Sequence, residues 1–517
     1  LKVKILFAAG IVSLFFLVII SAKYSYYWTL KPVSVYDSGY DEGTEIISVQ
    51  QNTLRAVLNN YKTGEVDVLD ISHPELNRRI NRLPLQLKKG EELTSVAFHP
   101  SLDLFAAVID AGVFHGRLEI RSATTGQIIV SAKVGYGPDA VIFSEDGKML
   151  LIANEGEDFW FDPANKEFFT PEGSVSLIRL DEMGRIIHNK TIALADMTNH
   201  EGFIISAGGR FLEREIDWNG NGEIDKKVDF NKDGIIEKKK VKLGYFHGRE
   251  VFGTETKGEG HIMIPITDYS PALLEPEYIA ISPDQTKAYV TLQEDDGVAV
   301  IDLIQEKAVN YIGLGEAHHL SDNKTDGWIA FDKSMYGLRE PDGIAVSPDG
   351  RYFITADEGD TDADESTQGP VSGGRSVSVF DAKTGKLVGD TANQVDETAF
   401  INQVYPERRS QKKGSEPEML VAFEIDQMPF VAVGLERAGA VELISLKNPS
   451  KPSVIALGKI LGEENKSPEG IAHFILNNNH YLLTANEMDG SVECFQIRKV
   501  FKFADYFDRL VSLTKRK

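Results

Sequence analysis

Residues 275–302 read EPEYIAISPDQTKAYVTLQEDDGVAVID. A turn built on Pro276-Glu277 leads into an apolar run, Pro283-Asp284 turns the chain, a second apolar run ends in the polar Gln293-Glu294, and Gly297 opens a third run. Short β-branched and aromatic runs bounded by such turn residues read as strands of an antiparallel meander.

The same theme recurs along the chain. It starts near Glu45, with runs Ile46 to Val49, Ala56 to Leu58 and Val66 to Leu69, and again near Thr94, with Val96 to Phe98, Phe105 to Ile109 and Arg117 to Arg121. It returns at Pro138-Asp139, Pro276-Glu277, Pro341-Asp342, Pro417-Glu418 and Pro468-Glu469, which makes seven copies. Three or four strands with one apolar face cannot bury themselves, and radial packing of such units gives a β-propeller. The expected fold is therefore all-β, a seven-bladed propeller over residues 32–497. The last copy, Pro468 to Ile497, lacks an outer strand, while Pro32 to Tyr36 is an orphan strand; the N-terminus is expected to close the ring.

Two segments break the repeat. Residues 196–274 hold no complete copy and read as an insertion on one face of the ring. Residues 498–517 place Val500, Phe503, Phe507, Leu510 and Val511 on one stripe, which predicts a short C-terminal amphipathic helix packed on the propeller rather than on a membrane.

Composition narrows the function classes. The 517 residues are 42% hydrophobic and 26% charged, with a formal net charge of −23. That charge repels phosphate backbones and argues against a nucleic-acid partner. Residues 1–22 carry Lys2 and Lys4 before an apolar run from Ile5 to Ala22, a signal peptide or an uncleaved membrane anchor, with Ile20 a poor residue at minus three for cleavage after Ala22. The mature chain is expected outside the cytoplasm: periplasmic, at the cell surface or extracellular, and monomeric. The single cysteine, Cys494, excludes an intramolecular disulfide and reads as a core residue.

Several segments, in one order, resemble the choice-of-anchor I domain family, which includes the mesenchyme-specific cell surface glycoprotein type. They are Ala153-Asn154-Glu155-Gly156, Pro171-Glu172-Gly173-Ser174-Val175, Glu275-Pro276-Glu277-Tyr278-Ile279, Val290-Thr291-Leu292-Gln293-Glu294, Pro341-Asp342-Gly343, Ala356-Asp357-Glu358-Gly359-Asp360, Gly434-Leu435-Glu436-Arg437, Pro468-Glu469-Gly470 and Ala485-Asn486-Glu487. The resemblance implies an exported seven-bladed propeller tethered to the envelope by varied means, and no established reaction. The chain departs from the family pattern at Asp357, where Asn is usual, and at Asp295-Asp296, where uncharged residues follow the glutamate.

In a propeller the innermost strands line a channel, so residues at their ends converge on one face. Asp139, Glu277, Asp342, Glu418 and Glu469 enter inner strands and are expected to ring one mouth. Second strands end in Asn154-Glu155, Gln293-Glu294, Asp357-Glu358, Glu436-Arg437 and Asn486-Glu487, which add oxygen donors and an arginine. So many carboxylates in one place call for a hard cation such as calcium or another divalent metal; the alternative is that each acid caps its own turn. The insertion holds a sharper pattern: Asp217, Asn219, Asn221 and Asp225 with Gly222, then Asp229, Asn231, Asp233 and Glu237 with Gly234. Oxygens at alternate positions around a glycine turn wrap calcium, although Val228 and Lys240 stand where an EF-hand has its bidentate glutamate.

No Gly-x-Ser-x-Gly elbow, Walker-type phosphate loop or His-Glu-x-x-His pair occurs, and His318-His319 is expected in a loop as a surface pair. Two functions follow. One is a calcium-stabilised binding or scaffold module for a surface ligand or protein. The other is a metal-dependent phosphoesterase or lactonase, with Glu277, Asp342, Glu418 and Glu469 on the metal, Asn154 and Asn486 completing the shell and Arg437 steadying an anionic substrate.

Overall fold

A computed structural model describes residues 26–156, 160–162, 167–169, 171–197, 210–215, 241–246, 249–256, 259–266, 274–359, 373–461 and 466–501. Seven four-stranded antiparallel sheets make up the seven blades of a propeller. Blade 1 spans Thr44–Pro84, blade 2 Glu92–Lys133, blade 3 Pro138–Ala193, blade 4 Pro276–Gly313, blade 5 Pro341–Asp390 and blade 6 Pro417–Lys459. Blade 7 takes three strands from Pro468–Phe501 and its outer one from Tyr26–Asp37. Each blade's first strand packs on the first strand of both neighbours, so these seven strands line the channel.

The closing strand is longer than the orphan strand read from the sequence. It pairs antiparallel with the last strand from Tyr26↔Phe501 to Asp37↔Ser491, so residues 498–501 are strand rather than the start of a helix. The pairing explains the correction: Lys499 lies over the rings of Tyr26 and Trp28, and Trp28 and Leu30 are buried with Phe430 and Phe495 between blades 6 and 7. Residues 502–517 lie outside the described residues.

Local chemistry sets the blade geometry. Between first and second strands, Ser144, Ser282 and Ser347 each donate a hydroxyl to the aspartate two residues on, at 2.7 Å, in blades 3, 4 and 5. The turn then needs a left-handed residue, which is Gly147, Gln285 and Gly350 in turn. At the other end every inner strand carries a β-bulge beside its entry, for example between Pro138 and Val141, Pro276 and Ile279, Pro341 and Ile344, and Pro417 and Leu420. A bulge re-aims the side chain it carries. In every blade but the second that bulge holds an acid.

The insertion contributes its own four-stranded sheet from Arg210–Glu215, Val241–Phe246, Arg249–Thr256 and Glu259–Ile266. Its first strand pairs with its last, unlike the simple meander of a blade. The expected calcium-loop residues, Asp217, Asn219, Asn221, Asp225, Asp229, Asn231, Asp233 and Glu237, lie outside the described residues, as does the segment 1–22. His318 and His319 are on a hairpin strand, Glu316–Ser321, rather than in a loop, and His318 stands edge-on to Tyr336.

Candidate functional site at the channel mouth

The inner-strand bulges carry Glu45, Asp139, Glu277, Asp342, Glu418 and Glu469 from six of the seven blades; blade 2 has Leu93-Thr94 there, and Thr94 donates its hydroxyl to the Pro138 carbonyl. The acids share one mouth. Glu45 acts electrostatically on Asp139, Asp139 and Asp342 act on Glu277, and Glu436, Asp342 and Glu45 act on Glu469. Burial first, then these like charges, raise the carboxyls of Asp139, Glu277, Asp342 and Glu469 above the ordinary range. Glu45 is pushed to about 7 by burial, although the nearby Asn59 amide favours its charged form.

Between blades 5 and 6 the carboxylates close up. Glu358, Glu416, Glu418 and Glu436 are all buried, and one carboxylate oxygen from each lies within 4.8 Å of the other three. Glu358 accepts from Gln293 and from Lys413, and Glu416 accepts from Arg409 at 2.8 Å and from Arg437 at 3.3 Å. Arg437 also pairs with Glu436 at 2.5 Å. Glu418, 6% exposed, takes part in no hydrogen bond or ion pair with the described residues. Four oxygens with no nitrogen or sulfur among them form a donor set for calcium, magnesium or manganese.

Glu416 was missed in the sequence because it precedes the Pro-acid pair rather than forming part of it. Its left-handed backbone, φ 58°, swings the carboxylate toward Glu436, whose amide it accepts through its carbonyl at 2.8 Å. Glu45 was passed over as a ligand because no proline precedes it. The repeated left-handed residue before the entry (Gly43, Gly137, Glu340, Glu416, Ser467) is the signal that finds both.

Three other expected donors, Asn154, Asn486 and Asp357, bond within their own blades. Asn154, fully buried, donates to Ser176 Oγ and to the Ser174 carbonyl, both at 3.1 Å, and accepts from the Gly135 amide at 3.0 Å. Asn486 donates to Ser491 Oγ at 2.9 Å. Both side-chain NH2 groups stitch second to third strands; the Asn154 oxygen is taken by the Gly135 amide, whereas the buried Asn486 oxygen has no hydrogen-bond partner among the described residues. Asp357 occupies the same position in blade 5, and the bonds reverse: Thr355, Ser376 and Ser378 donate to it, with Arg339 at 3.7 Å. Burial raises Asp357 to about 6 while those donors and Arg339 hold it down. A carboxylate thus replaces the amide without orphaning a serine. Glu155 is half-buried near Glu277, Glu294 sits on the 3-10 turn Gln293–Asp295, and Glu487 accepts from Tyr61 at 2.6 Å. The tight group therefore shares only Glu418 with the four-residue set Glu277, Asp342, Glu418 and Glu469.

The family model of the choice-of-anchor I domain matches residues 45–371 and 362–449, most of the propeller. The chain belongs to the choice-of-anchor I domain family. Membership fits a surface-associated propeller module. No curated protein matches the choice-of-anchor chain in sequence. Among solved structures it is similar to Kuenenia stuttgartiensis hydrazine synthase (11% identity, 89% of this chain and 99% of that one, TM-score 0.48). It is also similar to the β-propeller domain of Myceliophteria thermophila Cps50 (Swd1), at 7% identity over 91% of this chain and all of that one, TM-score 0.47. The WD40 repeats of RRP9 align at 8% identity over 90% of this chain and 99% of that one, TM-score 0.49.

Proposed function

We propose that this surface-associated propeller is a binding module that holds a hard divalent cation, calcium first, at the blade 5–6 side of its channel mouth. The observation that carries this is the group Glu358, Glu416, Glu418 and Glu436, four buried carboxylates within 4.8 Å, with Glu418 unpartnered among the described residues. Three cationic side chains, Lys413, Arg409 and Arg437, face four carboxylates there, and Asp342 adds another negative charge on Glu358's side. A divalent ion offsets the excess. The tandem loops at 217–237 supply a second calcium position by their sequence pattern alone.

The hydrolase reading draws on Asn154 and Asn486 for its shell, and the Asn154 oxygen already accepts from the Gly135 amide inside its blade. The binding reading needs neither. Metal content by mass spectrometry and calcium-dependent melting of the exported chain, with and without chelator, test the proposal beside a screen of phosphoester and lactone substrates. Calcium retained at the mouth without turnover supports a binding module. A Glu418→Gln protein that retains as much calcium as wild type ends the mouth assignment, and chelator-sensitive turnover replaces binding with catalysis.

A further inference from the structure

The mouth has two unlike halves. On the blade 5–6 side the clustered carboxylates have basic neighbours. On the other side Glu45, Asp139, Glu277 and Glu469 come from blades 1, 3, 4 and 7, and no described lysine or arginine forms an ion pair with any of them. Asp342 stands between the halves, 9% exposed, with no hydrogen bond to the described residues, and it acts on Glu277 and Glu469 as well as facing Glu358.

These carboxylates are too dispersed for a bare metal ion. Among the described residues only the blade 5–6 group brings three or more acidic, histidine or cysteine ligand atoms within 4.8 Å of one another. What remains is a larger cation with several diverging donors. Guanidinium, with its five N–H groups, and primary ammonium, with three, answer carboxylates spread over a ring.

The floor beneath fits the stem of such a cation. Tyr278 follows Glu277, and Asp342, Asp139, Glu45 and Glu469 all act on its hydroxyl, which places the phenol at the foot of the carboxylates. It also borders a channel cavity of about 350 Å³ walled by Ile46, Ile279, Ile344, Met419 and Ile471. An alkyl chain loses water against that wall while its charged head stays among oxygens and over an aromatic ring.

We propose that the blade 7-1-3-4 half of the mouth binds an alkyl guanidinium or alkyl ammonium group, its head among Glu45, Asp139, Glu277, Asp342 and Glu469 and its stem against Tyr278 in the channel. This names the ligand class of the binding face proposed above and rests on that reading. The cation site for the metal is a separate set of side chains, so the two stand or fall apart.

The test is calorimetric titration of the calcium-loaded full chain with agmatine, and with N-butylurea as a neutral isostere. Wild type is expected to bind agmatine saturably and N-butylurea not at all. Glu277→Gln and Asp139→Asn are each expected to weaken agmatine at least tenfold with the melting temperature not lowered and calcium content unchanged; Glu469→Gln replaces either variant if it fails to fold. Equal agmatine affinity in wild type and variants overturns the proposal, as does no binding to folded wild type, or a second calcium equivalent that excludes agmatine. Agmatine binding that persists when calcium is not retained leaves this proposal standing and removes the metal reading.

Discussion

Glu418→Gln separates a metal ligand from a turn cap by the sign of its effect. At 4.8 Å and an effective dielectric constant of about 20, two ionised carboxylates repel by about 3.5 kcal/mol. Glu418 faces three such neighbours, and Arg409, Arg437 and Lys413 offset much of that, so deleting its charge from the metal-free protein is expected to stabilise it by about 2 kcal/mol. Unfolding entropy near ~2.1 cal/mol/K per residue over 517 residues gives about 1.1 kcal/mol/K, so the metal-free melting temperature rises by about 2 °C. Calcium at ~100 times its dissociation constant stabilises wild type by about 2.7 kcal/mol, another two to three degrees, and the variant loses that increment. Scanning calorimetry in chelator and in calcium should therefore show the order of the two proteins reverse. A capping glutamate predicts a variant less stable in both buffers. That result, or an undiminished calcium shift in the variant, refutes the reasoning.

Three further outcomes are expected. Burial raises Glu45, Asp296 and Glu493 to about 7 and Asp357 to about 6, so the folded state holds more protons than the unfolded one between about pH 4 and 7; metal-free stability should fall as pH rises through that window in chemical denaturation, and a rise would contradict the burial of these groups. Gln285 holds φ 57° where the equivalent turns of blades 3 and 5 have glycine, so Gln285→Gly should gain about 0.5–1 kcal/mol, checked by the same denaturation midpoint. Glu442 is fully buried with both carboxylate oxygens unbonded and Asp396 raising it further, so Glu442→Met should stabilise the protein at pH 8 by about 1–3 kcal/mol; a destabilised variant would mean that the site holds a bound ion or water.

Legibility followed the period of the physics. Blade number, blade entries and ring closure were readable because each strand must alternate apolar and polar residues and each hairpin must end in a residue such as Asp284 or Gly350 that accepts its turn. The pattern repeats seven times, so an error in one copy is caught by the next. The mouth was half readable for the same reason. Position in the repeat told that Asp139, Glu277, Asp342, Glu418 and Glu469 converge, but not which way a neighbouring side chain turns. Asn154 and Asn486 end their second strands and reach serines on the third, whereas Leu435 fills that position in blade 6 and the next residue, Glu436, points to the mouth. One residue along a strand exchanges its faces. The strand from Ser491 to Phe501 shows the opposite difficulty: Val500 fits a helical stripe as well as an alternating one, and only its partner Tyr27, hundreds of residues away, decides between them. Local pattern thus fixes what each blade does for itself, while the charge balance of the mouth depends on which blades stand next to one another. That is why Glu416 and its two arginines, contributed by the approach to blade 6 and by the end of its second strand, became visible as part of a site only once the ring was closed.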